Sequence, residues 1–123
     1  MLIGVFVKRD IDLYRQILLA MEECPSEPCI NLRDVPGVPH DVFAHHVGLL
    51  HDAGLITAAN GSSMSGVDWQ PLKITHAGYE FLDNSRNDGL WAKTKDKALS
   101  MAGTLSLEAM KVAMTALMKS HLL

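Results

Sequence analysis

Positive charge is scarce over most of this chain. Residues 1–80 hold five Lys/Arg (Lys8, Arg9, Arg15, Arg33, Lys73) against ten Asp/Glu, a balance of −5. Residues 81–123 hold six against four, a balance of +2, and the two halves sum to the formal −3. Duplex binding draws its sequence-independent affinity from Lys and Arg that neutralise phosphates, so a strong monomeric DNA binder is disfavoured. Long apolar runs are missing as well. Nowhere do about eighteen apolar residues follow one another, so no segment reads as a membrane span. Cysteine occurs only twice, beside seven methionines, which points to a reducing cytosol more than to a disulfide-stapled secreted module.

Catalytic signatures are also wanting. The run Asn60-Gly61-Ser62-Ser63-Met64-Ser65-Gly66 lacks the lysine and the helix context of a phosphate loop, and no Gly-x-Ser-x-Gly elbow occurs. Ser62, Ser63 and Ser65 read as turn formers before they read as nucleophiles. An enzyme is not expected, and no cofactor is implied. The apolar opening, Met1 to Val7, has no basic n-region and no small-residue cleavage site. It reads as an added first strand or an upstream extension, not as a signal peptide.

What is present is most informative between Asp41 and Leu82. A helix is expected from about Asp41, with Pro39 and Asp41 suited to its first turn. At 100° per residue, Val42, Phe43, His46, Val47, Leu49, Leu50 and Ala53 share one side, and Asp41, Ala44, His45, Gly48, His51 and Asp52 the other. Gly54 supplies a left-handed stop, and Leu55-Ile56-Thr57 opens a strand. Asn60 to Ser63 and Ser65-Gly66 are turn chemistry. The return strand, Trp69 to Ile74, carries Pro71, which confines it to an edge. Thr75 caps the next helix, whose Ala77, Tyr79, Phe81 and Leu82 are candidates to pack inward. Helix, hairpin and helix in this order outline a winged helix-turn-helix, with the hairpin as the wing.

The flanks are helical. Asp10 or Asp12 starts a helix whose Leu13, Ile17, Leu18 and Met21 keep the 3.6-residue period, and Pro25 ends it. Cys29-Ile30-Asn31-Leu32 is a candidate third strand of the winged-helix sheet. Arg33 to Val38 is too short and too rich in Pro and Gly for a normal helix, so the first half of the helix-turn-helix is reduced to a turn. Beyond Asp88-Gly89, two helices are expected, near Leu90–Met101 and Leu105–Leu117. Their apolar positions are Trp91, Ala98 and Met101, then Leu107, Met110, Met114, Leu117 and Met118. Residues 1–88 thus form a winged-helix domain, with 1–7 as an extension. Residues 89–123 form a C-terminal helical extension and a candidate dimerisation element.

The run Lys8-Arg9-Asp10-Ile11-Asp12-Leu13 with Ile17-Leu18-Leu19 is followed by His46-x-x-Leu49-Leu50-x-x-Ala53-Gly54-Leu55-Ile56. Asp68-Trp69-x-Pro71 and Ile74-Thr75-x-x-Gly78-x-Glu80-Phe81-Leu82 come next. Together these resemble a family of small bacterial and prophage proteins catalogued as a domain of unknown function. The likeness runs from Lys8 through Trp91 into the C-terminal helix. It implies a winged-helix fold and a cytoplasmic or phage setting, and it carries no catalytic residues.

Two functional classes follow. In the first, the chain is a small winged-helix regulator, a homodimer that contacts DNA. Its candidate contacts are Asp41, His45, Gly48 and His51 on the outward helix face, Lys73 on the wing, Lys8 and Arg9 as an arm, and Lys93, Lys95 and Lys97 beside Arg86. That helix face offers no Arg–guanine or Asn–adenine donors. In the second, the winged helix serves a protein partner through the acidic helix face or the methionine stripe. The stripe reads first as ordinary core or a dimer seam; as a surface, Leu107, Met110, Met114, Leu117 and Met118 are the partner or dimer candidates, since methionine adapts to varied surfaces.

Two further constellations read as structural. Cys24-x4-Cys29-x10-His40-x4-His45 lies near Cys₂His₂ zinc spacing, but four prolines (Pro25, Pro28, Pro36, Pro39) intervene and no finger core surrounds it. The cysteines read as small buried hydrophobes, and no metal is expected. His46, centred on the apolar face, reads as a core histidine whose ring N–H bonds a backbone carbonyl.

Overall fold

The computed structural model describes residues 8–25 and 27–122, so the expectation for residues 1–7 lies outside the described residues. In chain order the elements are α1 (Ile11–Glu22), α2 (His40–Asp52), β1 (Ile56–Asn60), β2 (Trp69–Ile74), α3 (His76–Ser85), α4 (Asp88–Ala102) and α5 (Leu107–Leu122). The fold is mainly helical and winged-helix-like, with one antiparallel hairpin and extra C-terminal helices. No helix among the described residues is long and apolar enough to cross a membrane. The chain divides into two compact units, one ending at Tyr79 and the other beginning at Glu80. The division falls inside α3.

In the first unit, α1 begins where local chemistry directs. Asp10 is its N-cap and accepts from the Asp12 and Leu13 N–H groups, at 3.0 and 3.4 Å. Ile11, Leu13, Tyr14, Ile17, Leu18 and Met21 form the buried stripe. The stretch from Arg33 to Pro39 makes only a turn, closed by Val38 N–H on the Val35 carbonyl at 3.2 Å, as its length required. α2 then starts at His40 without a side-chain cap, with Pro39 in the N-cap position. It stops at Gly54, whose φ of +77° suits a residue without Cβ, and the Leu55 N–H returns to the Leu50 carbonyl.

His46 sits at the centre of this unit and is fully buried. Its Nδ1 donates to the Val42 carbonyl (2.9 Å), which leaves Nε2 as the acceptor for the Asp10 N–H (2.9 Å). A neutral ring thus joins α2 to the cap of α1, with the Tyr14 ring edge-on at 5.4 Å. The core-histidine reading holds. Burial lowers its pKa below 6.5, and the charge of neighbouring His45 adds to this; the Val42 hydrogen bond and the Asp10 charge oppose it.

The hairpin pairs Ile56 with Ile74, Thr57 with Lys73, Ala58 with Pro71 and Asn60 with Trp69. A bulge between Thr57 and Ala58 leaves Leu72 as the extra residue. Its carbonyl turns outward and accepts the Cys29 N–H at 2.8 Å. The expected third strand, Cys29 to Leu32, is not a strand. That segment is a turn, and the Gln70 side-chain amide reaches across to the Cys29 and Leu32 carbonyls, at 2.9 and 3.1 Å, where a ladder would have run. The expectation of two free thiols also fails: Cys24 and Cys29 form a disulfide between the end of α1 and this turn. Thr75 caps α3 as expected, accepting from Gly78 N–H while donating to the Gly54 carbonyl at 2.6 Å.

In the second unit α4 is capped by Asn87, which accepts from Leu90 N–H at 2.8 Å, and it packs along α5. Trp91, Thr94 and Ala98 face Ala109, Met110, Ala113 and Met114 in the core, and Phe81 meets Trp91 edge-on at 5.8 Å. The inward set differs from the expectation in places. Phe81 and Leu82 are buried, but Ala77, Tyr79 and Met101 are exposed, and Gly78 takes the inward place beneath the Leu55 carbonyl.

The His46 clasp predicts a pH dependence. Because its folded pKa is lowered, the unfolded chain binds the extra proton first. The clasp's contribution is therefore complete above pH 6.5 and is lost as pH falls through the folded value. Urea midpoints measured between pH 8 and pH 5 should fall on the acid side, and His46→Leu should abolish that slope while costing about 1–2 kcal/mol for the orphaned Asp10 N–H. A midpoint of His46→Leu that moves with pH as the parent's does would contradict this assignment.

Candidate functional site

The residues expected to touch a partner in the first unit centre on α2. The helix is more enclosed than one apolar face allows, for Phe43, Ala44, His46, Val47, Gly48 and Leu50 are all buried. Ala44 and Gly48, expected to point outward, are turned into the fold, and Ala53, expected inward, is exposed. The cause is the hairpin. Its first β2 residue, Trp69, lays its indole on Gly48, so a Cβ built there would stand 2.7 Å from Trp69 Nε1. His51 tilts onto the same indole at 5.2 Å. Helical spacing aligns Asp41, His45, Gly48 and Asp52 along one outward line, and Trp69 closes the middle of it.

The remaining candidates of this unit lie around that closure. Asp41, His51 and Asp52 are exposed and His45 is half-buried. His51 Nδ1 stands 3.7 Å from Asp52, a pair that is charged only when the ring is protonated. His40 Nδ1 meets the Arg33 carbonyl at 3.1 Å and its Nε2 meets Asp68 at 3.4 Å, so it staples the turn and the hairpin loop to the start of α2. Lys73 is exposed but stands 3.8 Å from Glu27, which takes up part of its charge. Lys8 and Arg9 are exposed ahead of α1. With the two cysteine sulfurs bonded to each other, the Cys₂His₂ set has lost its thiolates. Among the described residues no group of three His, Cys, Asp or Glu side chains is placed to hold a metal.

In the second unit, Lys93 and Lys97 lie exposed one turn apart on α4, while Lys95 is half-buried on another side of the helix. Arg86 pairs with Asp83 at 2.9 Å. The three lysines therefore do not make one basic patch. The methionine stripe is divided as well: Met110 and Met114 are core, Leu107 and Leu117 are half-buried, and Met118 is 47% exposed. Leu90, Met114, Leu117 and Met118 floor a hollow of about 130 Å³ rimmed by Asp83, Asn84 and Asn87. Spacing alone could not foresee this hollow, because it depends on how α4 and α5 cross.

Sequence comparison places the chain in a family. The model of the family described as hypothetical protein DUF2513 matches residues 8–104, and this chain belongs to it. A protein of Haemophilus influenzae, described as uncharacterized, is 36% identical over 106 residues, covering 85% of this chain and 90% of the relative. No solved structure matches. The expected kinship with a domain of unknown function is thereby shown, over residues 8–104.

The closeness of Trp69 to Gly48 predicts that a side chain there dislodges the indole. Gly48→Val should cost about 1–3 kcal/mol by overpacking. It should also raise the acrylamide accessibility of tryptophan fluorescence in a Trp91→Phe background. Unchanged quenching and an unchanged denaturant midpoint would mean that the indole does not rest on this helix.

Proposed function

We propose that this chain is a non-catalytic interaction module that carries a protein partner on a winged-helix-like frame. The observation that carries this reading is the Trp69 indole on Gly48. A recognition helix must present a free face about four side chains long to the major groove. Here the matching line on α2 is closed at its middle by the wing's own root. What stays exposed around it is Asp41, Asp52 and His51, which offers a duplex no lysine or arginine donor. Carboxylates held toward phosphate oppose association by a few tenths to about 1 kcal/mol each.

The second unit offers what a protein partner uses. The hollow floored by Leu90, Met114, Leu117 and Met118 is apolar with an amide and carboxylate rim, and methionine side chains adapt to the shape that enters. It suits a short apolar segment of another protein.

A second reading, a DNA-binding regulator, is favoured by the exposed Lys8 and Arg9 ahead of α1 and by Lys93 and Lys97 on α4. Such a protein would hold the phosphate backbone with these four cations and leave α2 out of the groove. One titration separates the two. Random-sequence duplex at about 50 mM salt, mixed with tens of micromolar protein, should show no association on the partner reading. Binding that weakens steeply with added salt, and that is lost in a Lys8→Ala, Arg9→Ala variant, would establish the DNA reading instead.

A further inference from the structure

We propose that the outward face of α5 is a two-fold, antiparallel docking surface for a second copy of this chain. The inference stands apart from the choice of protein or DNA partner and rests on a different helix face from the methionine stripe. That stripe cannot be the seam, because Met110 and Met114 are spent in the core of the second unit.

The opposite side of α5 carries Glu108, Lys111, Val112, Thr115, Ala116 and Lys119, which line one open trough. Glu108, Val112, Thr115 and Lys119 recur at steps of four, three and four, the spacing of a seam between two helices. Val112 is 47% exposed at its middle, beside Thr115 and the small Ala116, so a neighbouring helix can approach closely there. Thr115 has its hydroxyl occupied by the Lys111 carbonyl at 3.0 Å and so presents its methyl group without an unmet donor. Glu108, Lys111 and Lys119 are exposed, and none of them is in an ion pair among the described residues.

The order of charges selects the occupant. Along this face Glu108 is negative at one end, Lys111 follows within a turn, Val112, Thr115 and Ala116 are uncharged, and Lys119 is positive at the far end. Laid antiparallel on a copy of itself with the axis between residues 113 and 114, the face sets Glu108 opposite Lys119 twice. The same alignment sets Val112 opposite Thr115 twice and Lys111 opposite Ala116 twice. A parallel copy would set Glu108 on Glu108 and Lys119 on Lys119. The Glu108 and Lys119 positions are therefore complementary in the antiparallel two-fold arrangement and opposed in the parallel one, and an antiparallel two-fold pair is a closed dimer. One helix face covers less than the roughly 800 Å² per partner of a standard interface, so the dimer is expected to be weak and concentration-dependent.

Sedimentation equilibrium from about 10 to about 500 µM tests this. The parent chain should pass from monomer to dimer, and added salt should weaken the dimer. Glu108→Lys alone and Lys119→Glu alone should each weaken it at least about fivefold, because two attractive pairs become repulsive. The Glu108→Lys, Lys119→Glu double variant should restore it, and Val112→Glu should abolish it. Thermal melting by circular dichroism confirms that each variant is folded; if Glu108→Lys is not, Gly or Gln at neighbouring sites is unnecessary, since Lys119→Glu alone carries the same outcome. A parent chain that stays monomeric to about 500 µM overturns the proposal. So does a dimer that both single charge variants leave unchanged.

Discussion

One imidazole, hydrogen-bonded at both nitrogens, holds the first unit together. His46 gives its proton to Val42 within α2 and takes the Asp10 N–H from the residue that caps α1, across 36 positions of sequence. Asp10 is thus held twice, by its own side chain on the first turn of α1 and by its backbone on α2. Neither helix could rotate about its axis without breaking one of these bonds inside a site that excludes water. A neutral ring is the only protonation state that fits. An imidazolium would present a hydrogen to a hydrogen at Nε2, in a position where no water can intervene. The fully buried Ile17, Leu18, Phe43, Val47 and Leu50 supply the larger share of the apolar free energy, yet apolar contact alone tolerates sliding. The clasp fixes the register.

How much of this was legible in the sequence follows from how local each cause is. The Asp10 and Thr75 caps, the Gly54 stop and the 3.6-residue stripe of α1 are decided within a turn or two of chain, and they appear where spacing puts them. His46 pointing inward was legible for the same reason. The errors gather where a helix is covered from more than one side. A helical wheel divides α2 into one wet and one dry half. The actual α2 meets α1 on one flank and the hairpin on another, so Ala44 and Gly48 are buried while Ala53 is not. The methionine stripe, read as ordinary core or a dimer seam, divides: Met110 and Met114 are core, and Met118 is left out. The cysteine pair and the Gln70 bridge were illegible, because each joins segments whose approach nothing in their spacing announces.

Function is constrained by the same packing. The residue that makes α2 fit the hairpin, Gly48, is also one that a groove-reading helix would use for contact. Seating the Trp69 indole there stabilises the wing against the helix and at once removes the middle of the outward line from any ligand. A side chain that fills this position for stability cannot also be offered to a ligand. The free surfaces are then those that packing left over: the acidic rim of α2, the hollow floored by Leu117 and Met118, and the far side of α5.

The outer margin of β2 has a consequence for how this chain behaves in a crowd. An exposed strand ordinarily displays a row of free amide and carbonyl groups on which a foreign strand can nucleate. Here Pro71 has no N–H to offer, the Leu72 oxygen is already taken by Cys29, and the Gln70 side chain bridges the gap to Leu32. The hairpin is consequently a poor template for cross-strand capture along that margin. A bent, side-chain-sealed rim of this kind closes that one margin to strand addition.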